Sequence, residues 1–476
     1  MKDSLISSLQ AALGTTRVRA EPTELGLYRR DASMITGQAA VVCFPTNAAE
    51  VAAAVRVCRN HGVPFLPRGS GTGLAGGATP AGDVPPVVIV TTKMNRILEV
   101  DAEQRLAWVQ PGVLNLDLSR AVAHLGLHFA PDPSSQQSCS VGGNLANNSG
   151  GPHCLLYGVT TSHILAIEVV LPDGDVVVLG GVDPEPDGLD LRGAFVGSEG
   201  TMGIATRIAV RLTPLPPTVA TLLADFSDMA DAAAAVTGII GAGIVPAALE
   251  MMDAAIVAVV EAYVHASLPT DAAAVLLVEV DGLPGGVESQ TERVRDVLAG
   301  HRARQVRVAS SPDERALWWK GRKSAFGAIA RIAPNYYLHD CVVPRTRLVE
   351  VLTEVGRIAR RHELILGNVF HAGDGNLHPL IVFDRRAPGV LDRVHAAGQE
   401  IIEACVAAGG TLSGEHGIGL EKRDAMPLVF SAADLQAQRW LRDAFDPAGR
   451  CNPEKVLPRG GSRCGDIASL PEGAWV

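Results

Sequence analysis

The sequence predicts a mixed α and β fold in two domains. Three observations carry this expectation. At 476 residues the chain exceeds what one hydrophobic core usually serves. Strand-like runs alternate with Ala-rich helical stretches along most of it. The stretch Thr213-Pro-Leu-Pro-Pro-Thr218 can continue neither a helix nor a strand, so it reads as a domain boundary. Before that boundary, runs 40–44, 87–90, 106–109, 164–171 and 176–179 have the β-branched character of strands, and 48–61 followed by 63–66 reads as a helix leading into a short strand. Beyond it, the run 229–264 reads as amphipathic helices with Pro246 inside, and strands at 274–280 and 306–309 complete a βαβ-like second domain.

Composition excludes several classes. A formal charge of −10 without a long basic run argues against nucleic acid and against docking on anionic lipid. No uninterrupted apolar segment reaches the roughly 20 residues of a membrane span, because Asp231, Glu250, Asp253 and Glu261 break the Ala-rich run. The N-terminus has no basic region followed by an apolar core, which points to the cytoplasm, with membrane association only through partners. Eight cysteines contain no Cys-x-x-Cys, which disfavours an iron–sulfur cluster, a zinc ribbon or a disulfide framework and leaves reduced thiols.

Three glycine clusters carry the first chemistry. Residues 67–78 hold five glycines in twelve positions, so backbone N–H groups can approach a diphosphate with no Cβ in the way. Gly71-Thr-Gly-Leu-Ala-Gly76 fits the letters of a nucleotide fingerprint, but Thr79-Pro-Ala-Gly-Asp83 follows where a helix should open. The second cluster, Ser140-Val-Gly-Gly-Asn-Leu-Ala-Asn-Asn-Ser-Gly-Gly-Pro152, adds the amides of Asn144, Asn147 and Asn148, which can donate to and accept from a heteroaromatic ring edge. The third is Phe195-Val-Gly-Ser-Glu-Gly-Thr-Met-Gly-Ile204. Together they suggest a large, flat, polar cofactor with a pyrophosphate waist.

The stretch Asn368-Val-Phe-His-Ala-Gly-Asp-Gly-Asn-Leu-His-Pro-Leu380 carries the second chemistry. Asp-Gly between apolar runs is a strong hairpin signal. With Asp374-Gly375 as a two-residue turn, Gly373 faces Asn376, Ala372 faces Leu377, and His371 faces His378 on the same side, with Cβ atoms about 4.5–5.5 Å apart. Two imidazoles so placed can converge on a metal ion. In Gly409-Gly-Thr-Leu-Ser-Gly-Glu-His-Gly-Ile-Gly419, Glu415 supplies a carboxylate that would complete a two-His, one-carboxylate site with open positions, and His416 is expected on the opposite side of the chain, free to act as a base.

In order along the chain, the glycine loop 67–78, Pro131-Asp-Pro-Ser-Ser135 with Gly142-Gly-Asn144, Gly197-Ser-Glu-Gly200, His371-Ala-Gly-Asp-Gly-Asn-Leu-His378, Gly414-Glu-His-Gly-Ile-Gly419 and Asn452-Pro-Glu-Lys455 resemble the FAD-linked D-2-hydroxy acid dehydrogenases of the vanillyl-alcohol-oxidase type, and most closely the FAD-binding subunit of bacterial glycolate oxidase. The likeness runs over roughly residues 20 to 458.

The resemblance implies an α+β fold: a PCMH-type FAD-binding domain of two subdomains (1–218), an α+β substrate or cap domain with the metal site (219–425), and a C-terminal segment returning to the FAD domain (426–476). It implies FAD contacts from Arg68, Gly69, Ser70, Gly71, Thr72, Gly73, Gly76 and Gly77; from Pro131, Ser140, Gly142, Gly143, Asn144, Asn148 and Gly150; and from Glu199, Gly203, Ile204, Asn452 and Lys455. Ser70 stands in a loop where some relatives tether the flavin through a His, so the FAD is expected to be non-covalent. His371, His378 and Glu415 would bind a divalent metal, read as zinc; His416 would take the hydroxyl proton; Arg322, in Trp318-Trp-Lys-Gly-Arg-Lys-Ser324, would clamp the substrate carboxylate.

Relatives acting on 2-hydroxyglutarate place a basic residue where this chain has Leu338, which favours a small monoacid such as glycolate or D-lactate. Electrons would leave to a second flavin-type subunit and an iron–sulfur subunit, or to a quinone. A 2-hydroxyglutarate dehydrogenase, a metallohydrolase and a non-catalytic flavin subunit remain alternatives at this stage.

Overall fold

Helix Ala48–His61 shows how local sequence dictates structure in the N-terminal part. The Asn47 side chain caps it by accepting from the Glu50 N–H at 3.0 Å, Gly62 ends it at φ 65°, and Val51, Ala52, Ala54, Val55 and Cys58 form its buried face. The computed structural model describes residues 2–182 and 188–459, which fall into two compact units. The first runs to Gly150, resumes over Val159–Leu215 and again from Glu415; the second holds Gly151–Gly158 and Pro216–Gly414.

Each of the two larger sheets of the first unit carries a hydrophobic core. One lies around a four-stranded sheet in the order Val18–Arg19, Val41–Cys43, Val87–Val90, Phe65–Arg68, and includes Leu5, Leu9, Leu13, Val55 and Ile89. Val87–Val90 is buried along its whole length, as a strand with parallel neighbours on both sides should be. The other core lies around a five-stranded antiparallel sheet in the order Ile97–Asp101, Leu106–Val109, Ile204–Arg211, Ile164–Val170, Val176–Gly180, with Val109, Leu118, Leu145 and Ile208 inside. The tail returns to the first sheet: Cys451 bridges Phe65 in parallel, with Phe65 N–H donating to the Arg450 carbonyl at 2.9 Å and Asn452 N–H to the Phe65 carbonyl at 2.7 Å. Residues 460–476 of the expected C-terminal segment lie outside the described residues.

The second unit corrects two expectations. Its main path of strands runs Gln305–Val308, Thr218–Phe226, Ala274–Gly282, Ala248–Asp253, Ile365–His371, Asn376–Leu377, Cys341–Val342, and the pairs along it are antiparallel, so the βαβ-like reading does not hold. The run 229–264, read as amphipathic helices alone, also contains a strand. Met229–Gly241 and Ala254–Val264 are helical, but Ala248–Asp253 pairs on both sides and is fully buried. Six residues are too few for a stable buried helix, and two waiting strand edges decide the outcome against the helix preference of Ala, Leu, Glu and Met.

Among the described residues no helix is long and apolar enough to cross a membrane, and the seven described cysteines form no disulfide.

Gly151–Gly158 is fastened inside the second unit by polar contacts. His153 Nε2 lies 3.2 Å from Glu279 Oε1, and Tyr157 donates to Asp281 at 2.6 Å. Glu279 also accepts from Thr221, Arg315 and the Trp319 indole. Burial alone would raise its pKa, but the hydrogen bonds and charges of His153 and Arg315 outweigh it and hold the carboxyl well below the usual range. A depressed carboxylate pKa contributes stability present above the unfolded value and lost as pH falls through the folded one. Glu279→Gln is therefore expected to lower Tm at neutral pH and to flatten the fall in Tm between about pH 5 and pH 3. Parallel Tm curves for the two proteins over that range would exclude this role.

Candidate active site

In the first unit the three glycine clusters surround one stretch of backbone, 415–420. From the first cluster, the Ala75 carbonyl accepts from Leu420 N–H at 2.8 Å. From the second, the Asn147 amide donates to the His416 carbonyl at 2.8 Å. From the third, the Glu199 carboxylate accepts from Ile418 N–H at 2.6 Å and Gly419 N–H at 2.8 Å. Glu199 is buried and sits at a positive φ of 52°, a conformation a non-glycine residue adopts only when its surroundings demand it. Burial pushes its carboxyl up to about 7, against the pull of those two N–H groups and of Lys455 and Lys422.

The tail closes this arrangement. The Asn452 amide nitrogen donates to the Gly77 carbonyl at 3.0 Å and the Glu199 carbonyl at 2.7 Å, and Lys455 Nζ donates to the Thr79 carbonyl at 2.8 Å. Burial lowers the Lys455 pKa to about 7, with Asp31 and Glu199 opposing. Asn452, Glu454 and Val456 all have positive φ, so the tail is bent sharply to reach these carbonyls. Resemblance alone supplied a flavin role for Asn452 and Lys455; in the structure Asn452 ties the first glycine cluster to the third, and Lys455 anchors the tail to Thr79, just after the first.

The cradle fits a dinucleotide. The N–H groups of Ser70, Gly71, Thr72 and Gly73, all partly exposed, have no acceptor among the described residues, which is what a loop waiting for a diphosphate presents. Gly71 is at φ 74°, and a Cβ there would lie 2.1 Å from the Arg68 guanidinium, itself pinned to the Ala78 and Arg30 carbonyls at 2.8 and 2.9 Å. In the second cluster Ser140 caps the helix Val141–Asn147 through Gly143 N–H, and Gly142 N–H donates to the Pro111 carbonyl. The Asn144 amide is engaged by Asn115 and Cys139, Pro131 accepts from Asn115 at 2.9 Å, and Asn148 accepts from Thr161 N–H, so these asparagines shape the cradle through protein contacts. Gly150 closes the segment, and Gly203 at φ 146° leads into the strand that Ile204 opens.

The second unit holds the hairpin, with a different register. His371 pairs with Asn376, and Asn368 pairs with Pro379, so the connection is the four residues Ala372–Gly375 and His371 does not face His378. The shift is by two residues, which keeps both imidazoles on one side of the ribbon. Their ring centroids are 5.1 Å apart, nearly perpendicular, and both side chains are buried. The wider turn is built around Gly375 at φ 76°, where a Cβ would lie 2.1 Å from the Val343 carbonyl oxygen. Packing against 343 excludes the tight turn that an Asp-Gly pair favours in isolation.

Two carboxylates that sequence reading passed over complete this cluster. Glu250 lies directly across from His371, with Oε1 2.7 Å from His371 Nδ1 and Oε2 2.6 Å from Arg322 Nη2. Burial would raise its pKa, but His371 and Arg322 reverse that and keep it below the ordinary value. Asp340 is fully buried, 3.4 Å from His378 Nε2, and accepts from Ser413 Oγ at 2.5 Å and Gly414 N–H at 3.1 Å. The available signal was an acidic residue flanked by large apolar or aromatic ones: Glu250 between Ala-Leu and Met-Met, Asp340 after Tyr-Tyr-Leu-His.

Arg322 stands on helix Pro312–Lys323, 1% exposed, and its Nε and Nη1 have no hydrogen-bond acceptor among the described residues. A buried guanidinium with open donors is costly unless something charged arrives to meet it.

Glu415 and His416 begin the last segment of the first unit. They were expected on opposite sides, but His416 Nε2 lies 3.3 Å from Glu415 Oε1. Successive side chains diverge only along an extended strand, and residues 414–416 form bends. Imidazole and carboxylate sets of this kind suit a borderline divalent cation such as zinc.

Comparison with known proteins agrees with this picture. Residues 39–180 match the FAD binding domain family and residues 215–456 the family "FAD linked oxidases, C-terminal domain". The chain is 44% identical over 430 residues to the glycolate oxidase subunit GlcD of Escherichia coli (strain K12), covering 90% of this chain and 86% of that protein. It is 40% identical to GlcD of Bacillus subtilis (strain 168), covering 88% and 89%, and 32% identical to a D-lactate dehydrogenase of Anaerostipes hadrus, covering 90% and 92%. Among solved structures, p-cresol methylhydroxylase with substrate bound superposes with a TM-score of 0.81 at 18% identity, covering 96% of each chain. The 4-ethylphenol oxidase of Gulosibacter chungangensis does so with a TM-score of 0.78 at 19% identity, covering 96% and 97%. A glycine cradle fitted to a dinucleotide, a vanillyl-alcohol-oxidase-type fold and these two matched domains place the chain in the family of FAD-linked oxidases, as an enzyme of that family.

Proposed function

We propose that this enzyme oxidises a small D-2-hydroxy acid, glycolate or D-lactate, to the 2-oxo acid, and passes the electrons to partner subunits, one of flavin type and one carrying iron–sulfur centres, or to a quinone. The observation that carries this reading is the buried Arg322 with open N–H donors, beside a carboxylate–imidazole pair. A planar guanidinium matches a carboxylate, so it fixes one end of a 2-hydroxy acid. The names of the relatives support the substrate class. Leu338, buried and paired across the sheet with Leu380, offers no charge for a second carboxylate, which favours a monoacid.

When bound, FAD would supply the hydride acceptor for the substrate Cα, and a divalent cation, zinc by the donor set, would supply Lewis acidity toward the substrate hydroxyl. His371, His378 and Glu415 would hold that cation. His416 would receive the hydroxyl proton, so that loss of a hydride and a proton leaves the 2-oxo acid. The loop that carries His416 is fixed by Asn147, Glu199 and Ala75, each from a different glycine cluster, which couples the base to the cofactor cradle. A metallohydrolase with the same donors would have no use for that cradle.

The test is direct. The purified yellow protein is expected to release all its FAD into the supernatant on acid precipitation, since Ser70 offers no tether, and anaerobic glycolate or D-lactate is expected to bleach the flavin. Flavin retained in the pellet refutes non-covalent binding. Bleaching only by D-2-hydroxyglutarate refutes the monoacid reading, and bleaching by none of the three indicates a non-catalytic flavin subunit.

A further inference from the structure

Ala248–Asp253 is a central strand with every residue buried, and Leu249, Met251 and Met252 are what such a position calls for. Glu250 is not. An ionised carboxylate 1% exposed is tolerated only when partners replace the lost water, and here each oxygen has one. Register sets the first partner: Glu250 is paired across the ladder with His371, so the two side chains share a face. The second is Arg322 of helix Pro312–Lys323, whose Gly321 lies against Val260 of helix Ala254–Val264.

We propose that Glu250 is a positioning residue, one carboxylate that holds both the imidazole of His371 and the guanidinium of Arg322 and so sets the spacing between cation ligand and carboxylate clamp. The inference rests on the reading of His371 as a ligand and Arg322 as the clamp. A carboxylate can only accept, so Nδ1 of His371 carries the proton and Nε2 keeps its lone pair, the tautomer that an Nε2 metal ligand requires. The same carboxylate restrains Nη2 of Arg322 and leaves Nε and Nη1 for an incoming anion.

The experiment strips the full-length, FAD-loaded protein of metal and titrates it with Zn²⁺ against a chromophoric chelator. A Gln at 250 can still accept the Nδ1 hydrogen bond through its amide oxygen; a Met cannot. Glu250→Met is expected to bind Zn²⁺ about 10–100-fold more weakly, and Glu250→Gln within about threefold of wild type, with FAD retained in both.

Because Glu250→Met strands the Arg322 charge and can fail to fold, the double variant Glu250→Met/Arg322→Met removes both charges, and the same loss of Zn²⁺ affinity is expected from it. Wild-type affinity in either Met variant overturns the proposal, as does an equal loss in Gln and Met. A wild-type protein that binds no Zn²⁺ overturns instead the assignment of His371 as ligand. The Arg322 half is read by thermal unfolding: the Tm loss of Glu250→Gln/Arg322→Met should be smaller than the sum of the two single losses, and additive losses overturn that half.

Discussion

Replacing His371, His378 or Glu415 by Ala is expected to abolish bound metal and turnover together while leaving FAD content unchanged. The contacts of the glycine clusters with residues 415–420 and with the tail are made inside the first unit and use neither histidine, so the cradle survives loss of either one. Asn147 holds the backbone carbonyl of His416, the residue after Glu415, a bond that a change of side chain at 415 leaves in place. His416→Ala should separate from these three, keeping metal and FAD and slowing anaerobic flavin reduction by about 10²–10⁴, the usual share of a general base. Metal content by elemental analysis, read beside flavin reduction for the four variants, decides the matter. A metal-replete, active His371→Ala protein would reduce the hairpin histidines to buried polar residues tied to Glu250 and Asp340.

Arg322→Lys is expected to lower kcat/KM by roughly 10²–10³, about 3–4 kcal/mol of transition-state binding, with FAD content unchanged. Lysine keeps the charge that Glu250 needs and loses only the fork, so the loss reads recognition of the substrate carboxylate. Arg322→Ala should lose as much activity and in addition unfold more readily, because it leaves the Glu250 carboxylate buried with one oxygen unanswered; such a break costs about 3–5 kcal/mol. Steady-state kinetics on both variants, with Tm measured on each, separates the two effects. A tenfold loss or less in Arg322→Lys moves the carboxylate clamp to another residue.

The comparison of sequence with structure is sharpest at the hairpin. The alternation of apolar residues around His371 and His378 was enough to place both imidazoles on one side, because a side-chain period of two survives any even shift of register. It was not enough to place them opposite one another. That depended on the turn, and the turn is set by the Val343 carbonyl packed against Gly375, a residue far from the hairpin in sequence. The relation of Glu415 to His416 was misread for a similar reason: the alternation rule belongs to strands, and the segment is a series of bends held by bonds to Glu199 and Asn147.

The helix Ala48–His61, the strand Val87–Val90, the three glycine clusters and the Glu-His pair were all legible in the residues, since caps, β-branched runs and missing Cβ atoms act over a few neighbours. The motifs in order were also sufficient to recognise an FAD-linked oxidase. What only the tertiary structure decided was long-range partnership. Ala248–Asp253 became a strand because two others flank it, and that choice alone puts Glu250 beside His371 and within reach of Arg322. Asn452 became a tie between two glycine loops, and Lys455 an anchor on Thr79, because the tail pairs with Phe65. A carboxylate among Leu and Met has no local signature of its purpose, because its partners are dozens of residues away and the energy that keeps it buried comes from them.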